Sequence, residues 1–289
     1  MRGQPGSTAR AAVLGLCALA FGCSVETADD SAQAEGGSTH AVIAIGRQAS
    51  AAEPGDARAD AFAGFLRTSG EVDAASALRV AGLGLDLPPL DQCKKTAPGS
   101  SVDRAPVARV ELIDAGEVTI AVGRSVTTLA PRAFPTITDA ISGVVYTTRD
   151  RTASLPPANP YTVATTGATT LGPLSGEARA PAALSGVTLG GIPLAEVESL
   201  LSTETLKLAW ERGAAGDRVY VELETDAGTT SCTFRDDAGQ GSVPAALLPS
   251  GSEASISVHR LREASFGDVG VTHGQLRFDF ELSAPVSFE

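Results

Sequence analysis

The chain has 289 residues, 34 acidic against 22 basic side chains, and a formal net charge of −12. That balance excludes nucleic acid and anionic lipid headgroups as electrostatic partners. Aromatic residues make up 4%, with one Trp and three Tyr, so an aromatic-rich binding face is hard to build.

Residues 1–22 read as an export leader: Arg2 and Arg10, an apolar run over 11–21, then Gly22 before Cys23. The run is too short for a membrane-crossing helix, which needs about 20 residues. Leu19-Ala20-Phe21-Gly22-Cys23 resembles the lipobox of bacterial lipoproteins. The resemblance implies a diacylglycerol on the Cys23 sulfur, and Ser24 after it implies the outer membrane of a Gram-negative cell. Residues 23–61 hold seven acidic residues against Arg47 and Arg58, among Ala, Gly and Ser. They read as a flexible tether. Within it, 41–45 (Ala-Val-Ile-Ala-Ile) is either a strand or an apolar patch in a linker.

From residue 62 the pattern is short apolar or alternating runs cut by Gly, Pro, Asn and Asp. Strands are expected at 62–68, 78–83, 107–113, 117–122, 141–148 and 161–166, with 107–122 the clearest hairpin, turning at Asp114-Ala115-Gly116. Thr128 to Pro135 reads as a shaped connection that displays Arg132. A second unit begins near Pro181, with strands at 187–189, 206–210, 219–223, 230–234, 256–260 and 276–282. In the last, Leu276, Phe278, Phe280 and Leu282 alternate with Arg277, Asp279 and Glu281, predicting one buried and one wet face. Trp210 is placed between sheets, and 194–207 is the one candidate helix. The spacing predicts an all-β protein: two antiparallel β-sandwich domains of the immunoglobulin or fibronectin-III kind, over 62–180 and 181–289.

Several segments together resemble a family of secreted lipoproteins encoded in multiple copies by high-GC soil bacteria of the myxobacterial kind. They are Leu87-Pro88-Pro89-Leu90-Asp91-Gln92-Cys93, Val110 to Gly116, Thr128 to Pro135, Ser142 to Tyr146, and Cys232 to Asp237 leading into Val243-Pro244-Ala245. The resemblance covers residues 75–289. It implies an extracytoplasmic β-sandwich protein and attaches no activity to any residue.

Chemical motifs are sparse. There is no Gly-x-Ser-x-Gly, no His-Glu-x-x-His and no phosphate loop. Of three histidines, His40 lies in the tether, and His259 and His273 read as surface or capping residues. Outside the leader, Cys93 and Cys232 are the one pair available for a disulfide, the alternative being two buried thiols. Asp236 and Asp237, before Ala238-Gly239-Gln240-Gly241, are the only calcium candidates, and the same residues are ordinary for a hairpin turn. The expected function is a lipid-anchored interaction or structural module of the cell envelope, with no catalytic residues and no cofactor. Its partners are the membrane through the anchor and an envelope protein or glycan, without nucleic acid. A carbohydrate-binding module, resting on Tyr146, Tyr161, Tyr220 and Trp210, is the alternative, and an envelope hydrolase without a recognisable motif is the second.

Overall fold

Alternation of apolar and polar residues, cut by glycine and proline, puts most of the chain into strands. A computed structural model describes residues 38–68, 74–80, 83–98, 110–137, 141–149, 154–268 and 270–289. The leader over 1–22, Cys23 and the tether up to residue 37 lie outside the described residues. The chain opens with β1 (Ser38–Ser50), β2 (Arg58–Thr68) and a short helix, α1 (Ala74–Val80). Next are β3 (Gln92–Thr96), β4 (Val110–Leu112), β5 (Val118–Val122), β6 (Ser125–Ile137), β7 (Ile141–Thr147), β8 (Pro160–Thr165) and β9 (Ser175–Arg179). Four short strands follow: β10 (Thr188–Leu189), β11 (Ile192–Pro193), β12 (Ser199–Leu200) and β13 (Leu206–Ala209). The chain closes with β14 (Arg218–Thr225), β15 (Gly228–Arg235), β16 (Gln240–Val243), β17 (Ser252–Asp268) and β18 (Val271–Phe288).

The fold is all-β in its sheets. One sheet runs β15-β14-β17-β18-β1-β2-β4-β7-β6-β5-β8-β9, with β12 added on β18, and a smaller one runs β11-β10-β13-β16. Pairing is mostly antiparallel, but β1 and β12 lie parallel to β18, and β4 parallel to β7.

Two apolar cores result. In the first, Ile43 and Phe65 pack with Ile120, Val163 and Leu174, and the Tyr161 ring meets Phe278 edge-on at 5.1 Å. In the second, Val219, Val221, Ile256 and Val258 pack with Leu189, Leu208 and Val243 of the small sheet and with Trp210, which follows β13. The 17-residue β17 and 18-residue β18 serve both. Leu276, Phe278 and Phe280 enter the first core, and Ala284, Val286 and Phe288 the second. Residues on the two sides of 180/181, expected as separate sandwiches, therefore share one long hairpin.

Arg260 lies where that hairpin passes from core to core. Its side chain is 2% exposed and its Nε sits 2.8 Å from Oδ2 of Asp236, which is fully buried. Its Nη1 donates to the Ala183 carbonyl at 3.0 Å, and Nη2 to the Glu211 carbonyl at 2.5 Å and to Asp236 Oδ1 at 3.0 Å. Two residues on, Arg262 forks onto both oxygens of Asp217, at 2.7 and 2.6 Å, and reaches the Arg179 carbonyl at 3.0 Å. The hydrogen bonds to Asp217 hold the Arg262 guanidinium above its ordinary pKa. The connection around 180 is thus clamped by two arginines of one strand.

Several expectations are corrected. The tether does not extend to 61: residues 41–45 fall in β1, an inner strand of the large sheet. The 107–122 hairpin does not form, because β4 pairs with β2 and β7, whereas β5 pairs with β6 and β8. Asp114 is captured by a distant residue: Tyr146 donates its hydroxyl to Oδ1 at 2.6 Å and accepts the Ala115 amide at 2.9 Å. The turn becomes a corner between sheet segments, and β5 instead turns at Gly123-Arg124, with Gly123 at φ 59°. Of the strand expected over 78–83, residues 78–80 are helical and 81–82 lie outside the described residues. Ala75, Leu78 and Arg79, all good helix formers, lie in α1, whose end is closed by the amides of Leu83 and Gly84 on the Leu78 carbonyl. The helix expected over 194–207 is a single 3-10 turn, Leu194–Glu196, followed by β12 and β13. The Ser202 amide and hydroxyl both reach the Glu289 carbonyl, backbone pairing that a helix there would forfeit. Thr128 to Pro135 is part of β6, which leaves β5 after Leu129 and joins β7 from Ala130, so Pro131 and Pro135 lie beyond the β5 pairing.

Arg260→Met leaves the Asp236 carboxylate buried without a counter-charge and is expected to cost about 3–5 kcal/mol. Removing both charges together, as Arg260→Met with Asp236→Leu, recovers part of that loss. Chemical denaturation of the three proteins checks the order, and an unchanged midpoint for Arg260→Met contradicts it.

Candidate functional site

The site is built on the face of the large sheet that points away from the second core. Register places Tyr220 of β14 beside His259 of β17, His259 beside Glu281 of β18, and Glu222 beside Ser257. Asp279 and Arg277 continue the same row on β18. This is the side expected to be wet. Instead, Arg277 is only 7% exposed, because residues 83–98 cross the face as a strap.

The strap is anchored at both ends. Gly64 leaves a gap in β2 that Leu83 fills, since a Cβ there would lie 2.5 Å from a Leu83 methyl. Leu78 and Leu83 then pack on Leu66, Val110, Leu112 and Val145. Arg277 Nη1 donates to the Leu83 carbonyl at 2.9 Å. At the far end, the Asp91 amide donates to the Thr233 carbonyl at 2.7 Å, and Cys93 is disulfide-bonded to Cys232 of β15. Of the two readings open for these cysteines, the structure has the bridge. Between the anchors lies a cleft of ≈ 550 Å³, lined by Asp86, Lys94, Tyr220, Glu222, Glu224 and Ser231 among others. The Lys94 ammonium pairs with Asp86 of the strap itself, at 2.5 Å.

Beneath the cleft the polar groups hold one another. Tyr220 donates to Asp279 Oδ2 at 2.6 Å, His259 Nδ1 lies 3.0 Å from Asp279 Oδ1, and the Tyr220 and His259 rings stack at 4.1 Å. Burial first, and Asp279 second, raise the Tyr220 pKa and keep its hydroxyl a neutral donor. Ser231 donates to Glu222 and Ser257 to Glu281, each at 3.1 Å. Glu263 joins Arg218 and lies 3.4 Å from Arg277 Nε. Burial pulls the Arg277 pKa down, against the pull of Glu263 and Asp279. Chemically, this is an acidic, fixed polar floor with a histidine oriented by a carboxylate. His259, read as a surface or capping residue, is in fact 7% exposed and central to it. The strand alternation around it is legible in sequence, but nothing local marks the strap that buries it.

The other candidates fall elsewhere. Asp236 is the carboxylate held by Arg260, so the guanidinium takes the place a calcium ion would need. Asp237 is exposed and 4.0 Å from Arg235. Both belong to a 3-10 turn, Asp236–Ala238, between β15 and β16, in place of a simple hairpin turn. Among the described residues no group of three His, Cys, Asp or Glu side chains is placed to hold a metal ion. Trp210 lies in the second core as expected and donates its indole N–H to the Asp236 carbonyl at 3.1 Å. Tyr146, Tyr161 and Tyr220 are equally buried, so none of the four rings offers a face on which a sugar could stack. Burial and Asp114 push the Tyr146 pKa up to about 12, while the Tyr146 hydroxyl holds Asp114 below 3.8. Arg132 is exposed on β6.

A second histidine cluster was not legible at all. The parallel register of β1 and β18 sets His40 opposite His273, with rings stacked at 5.3 Å. Ser38 Oγ lies 2.7 Å from His40 Nε2 and 2.8 Å from Thr68 Oγ1. Burial, then His273, lowers the His40 pKa below 6.5.

Neither a protein-family model nor a curated protein matches this sequence. Among the described residues no helix is long and apolar enough to cross a membrane.

The His40 shift has a definite sign. The folded chain resists protonating His40, so the unfolded chain binds more protons once the pH drops below 6.5, and stability falls with it. Thermal unfolding between pH 7.5 and 5 is expected to show this loss, and His40→Gln to flatten it. The Asp114 contribution is lost only lower, as pH falls below 3.8. An identical slope in His40→Gln contradicts the assignment.

Proposed function

We propose that this protein is an extracytoplasmic, lipid-anchored module of the bacterial cell envelope that acts by presenting surface and carries out no bond chemistry of its own. The observation that carries the reading is the Cys93–Cys232 bridge, which joins residues 139 apart in sequence. Disulfides persist in oxidising compartments outside the cytoplasm. The leader read over 1–22 before Cys23, the acidic segment after it and the resemblance to myxobacterial lipoproteins support the same address. The two cores are read as two sandwich-like layers fused through β17 and β18, a stiff body suited to holding a surface away from a membrane. The acidic cleft beneath the strap is the surface feature best formed for recognition, and it suits a positively charged partner group. The carbohydrate-binding alternative loses its support with the burial of all four Trp and Tyr rings.

Cell fractionation of the full chain tests the address. The parent protein is expected in the membrane fraction, with acyl mass on Cys23 and no free thiol at Cys93 or Cys232. Cys23→Ser is expected in the soluble extracytoplasmic fraction with the bridge intact. Finding the parent in the cytosol, unacylated and with both thiols reduced, overturns the proposal.

A further inference from the structure

We infer that β1 is a mechanical clamp: load arriving through the chain ahead of Ser38 enters the fold along a strand gripped on both sides, which makes the protein a force-bearing link between the membrane and what its body binds. The inference rests on the lipid-anchor reading above, because an anchored N-terminal segment is what carries such a load. The directions of pairing decide how the load is shared. β1 is an inner strand, with β2 on one side and β18 on the other. Residues 38–48 pair with β2, and residues 40–50 lie parallel to β18. Because β1 and β18 run the same way, Ser38 and Phe288 stand at opposite ends of the pair. Pulling the two ends of the chain apart therefore slides one strand along the other. Every bridge from His40–His273 to Ser50–Ser283 is loaded together, and all must break at once. Had β1 run antiparallel to β18, its first residue would lie beside the last of β18, and the bridges would open one at a time.

The side chains resist the same sliding. Ala41, Ile43 and Ile45 are buried in the first core, and a slip of one residue would turn them to the other face. A slip of two keeps the faces but meets an obstacle on the opposite side of the strand. There Gly46 leaves room for Asp60, since a Cβ at Gly46 would lie 2.6 Å from Asp60 Oδ1. Ala44 and Gln48 are the next residues on that face, so a two-residue slip against β2 drives a side chain into the Asp60 carboxylate. At the leading end the Thr39 amide donates to Thr272 Oγ1 at 3.2 Å, and the Ser38 and Thr68 hydroxyls are 2.8 Å apart. His40 stacks on His273 beside them.

β18 in turn is held along its other edge by β17, from Ser252–Phe288 to Asp268–Val271. Load that crosses from β1 to β18 passes into β17. From there Arg260 and Arg262 carry it to Ala183 and Arg179 and to the buried carboxylates of Asp236 and Asp217. It reaches both cores without passing through an edge strand. How long a fold survives under load is set by its unfolding rate along the direction of pull, so the arrangement of β1 matters beyond its share of equilibrium stability.

Single-molecule force spectroscopy on the full chain tests this. Cys17→Ser with Cys23→Ser keeps the chain free of lipid and of spare thiols, so the result does not depend on whether the parent is acylated, which fractionation decides separately. Handles on the two chain ends give the sliding geometry. Moving the second handle to Gly267→Cys gives the opening geometry. Gly267 is exposed, has room for a side chain and lies beside the start of β18, at the same end of the β1–β18 pair as Ser38. At one loading rate the end-to-end pull is expected to need about twofold more force, and to release β1 only in the same event as the first core. Equal forces in the two geometries overturn the proposal. So does release of residues 38–50 at low force, ahead of the rest, in the end-to-end pull, which involves no substitution within the described residues.

Discussion

The passage from one core to the other is held by the buried pairing of Arg260 with Asp236. The pair sits where β17 leaves one core for the other, and the same guanidinium holds carbonyls at Ala183 and Glu211. The connection near 180, the loop after β13, the end of β15 and the long hairpin therefore meet on one charge. A buried ion pair adds little net stability over an apolar pair of similar volume, because taking two charges out of water is expensive. Its effect is discriminating. Any arrangement that separates Arg260 from Asp236 leaves a bare charge in a dry interior, so alternative registers of β17 are penalised heavily. Gly213 belongs to the same device, since a side chain there would collide with the Asp236 carboxylate.

The hairpin that this pair locates is unusually long. At about 3.3 Å per residue, seventeen residues extend for roughly 55 Å, longer than one sandwich layer requires. Its apolar face supplies the first core and then the second. Its opposite face carries Arg277, Asp279, His259 and Glu281, which no sheet covers. The chain covers them with residues 83–98, anchored by leucines over Gly64 at one end and by a disulfide at the other. Burial of so many charges is tolerated because each has a partner on a neighbouring strand. The same arrangement leaves a recessed acidic surface beneath the strap, lined by Asp86, Glu222 and Glu224.

Much of this was legible in the sequence, and what was missed has a common cause. The alternation at 276–282 identified the apolar side of β18, and the runs at 219–223 and 230–234 located β14 and β15, because a period of two is a local property. Trp210 was placed between sheets for the same reason. The hairpin at 107–122 failed because Asp114 answers to Tyr146, thirty-two residues away, and not to its own turn. The tether was drawn too long because composition cannot show that β1 finds β18 more than two hundred residues later. His40 and His259 looked incidental because their partners, His273 and Asp279, are set by register. Asp236 resembled a turn or a calcium ligand because nothing nearby reveals the arginine that claims it. In each case the deciding contact is remote in sequence.

The central claim is that the shared hairpin and its buried ion pair make residues on both sides of 180 one cooperative unit. Differential scanning calorimetry with the disulfide intact tests this most directly. The account predicts one transition whose calorimetric and van't Hoff enthalpies agree. Two separable transitions, with Trp210 emission following only one of them, would contradict it.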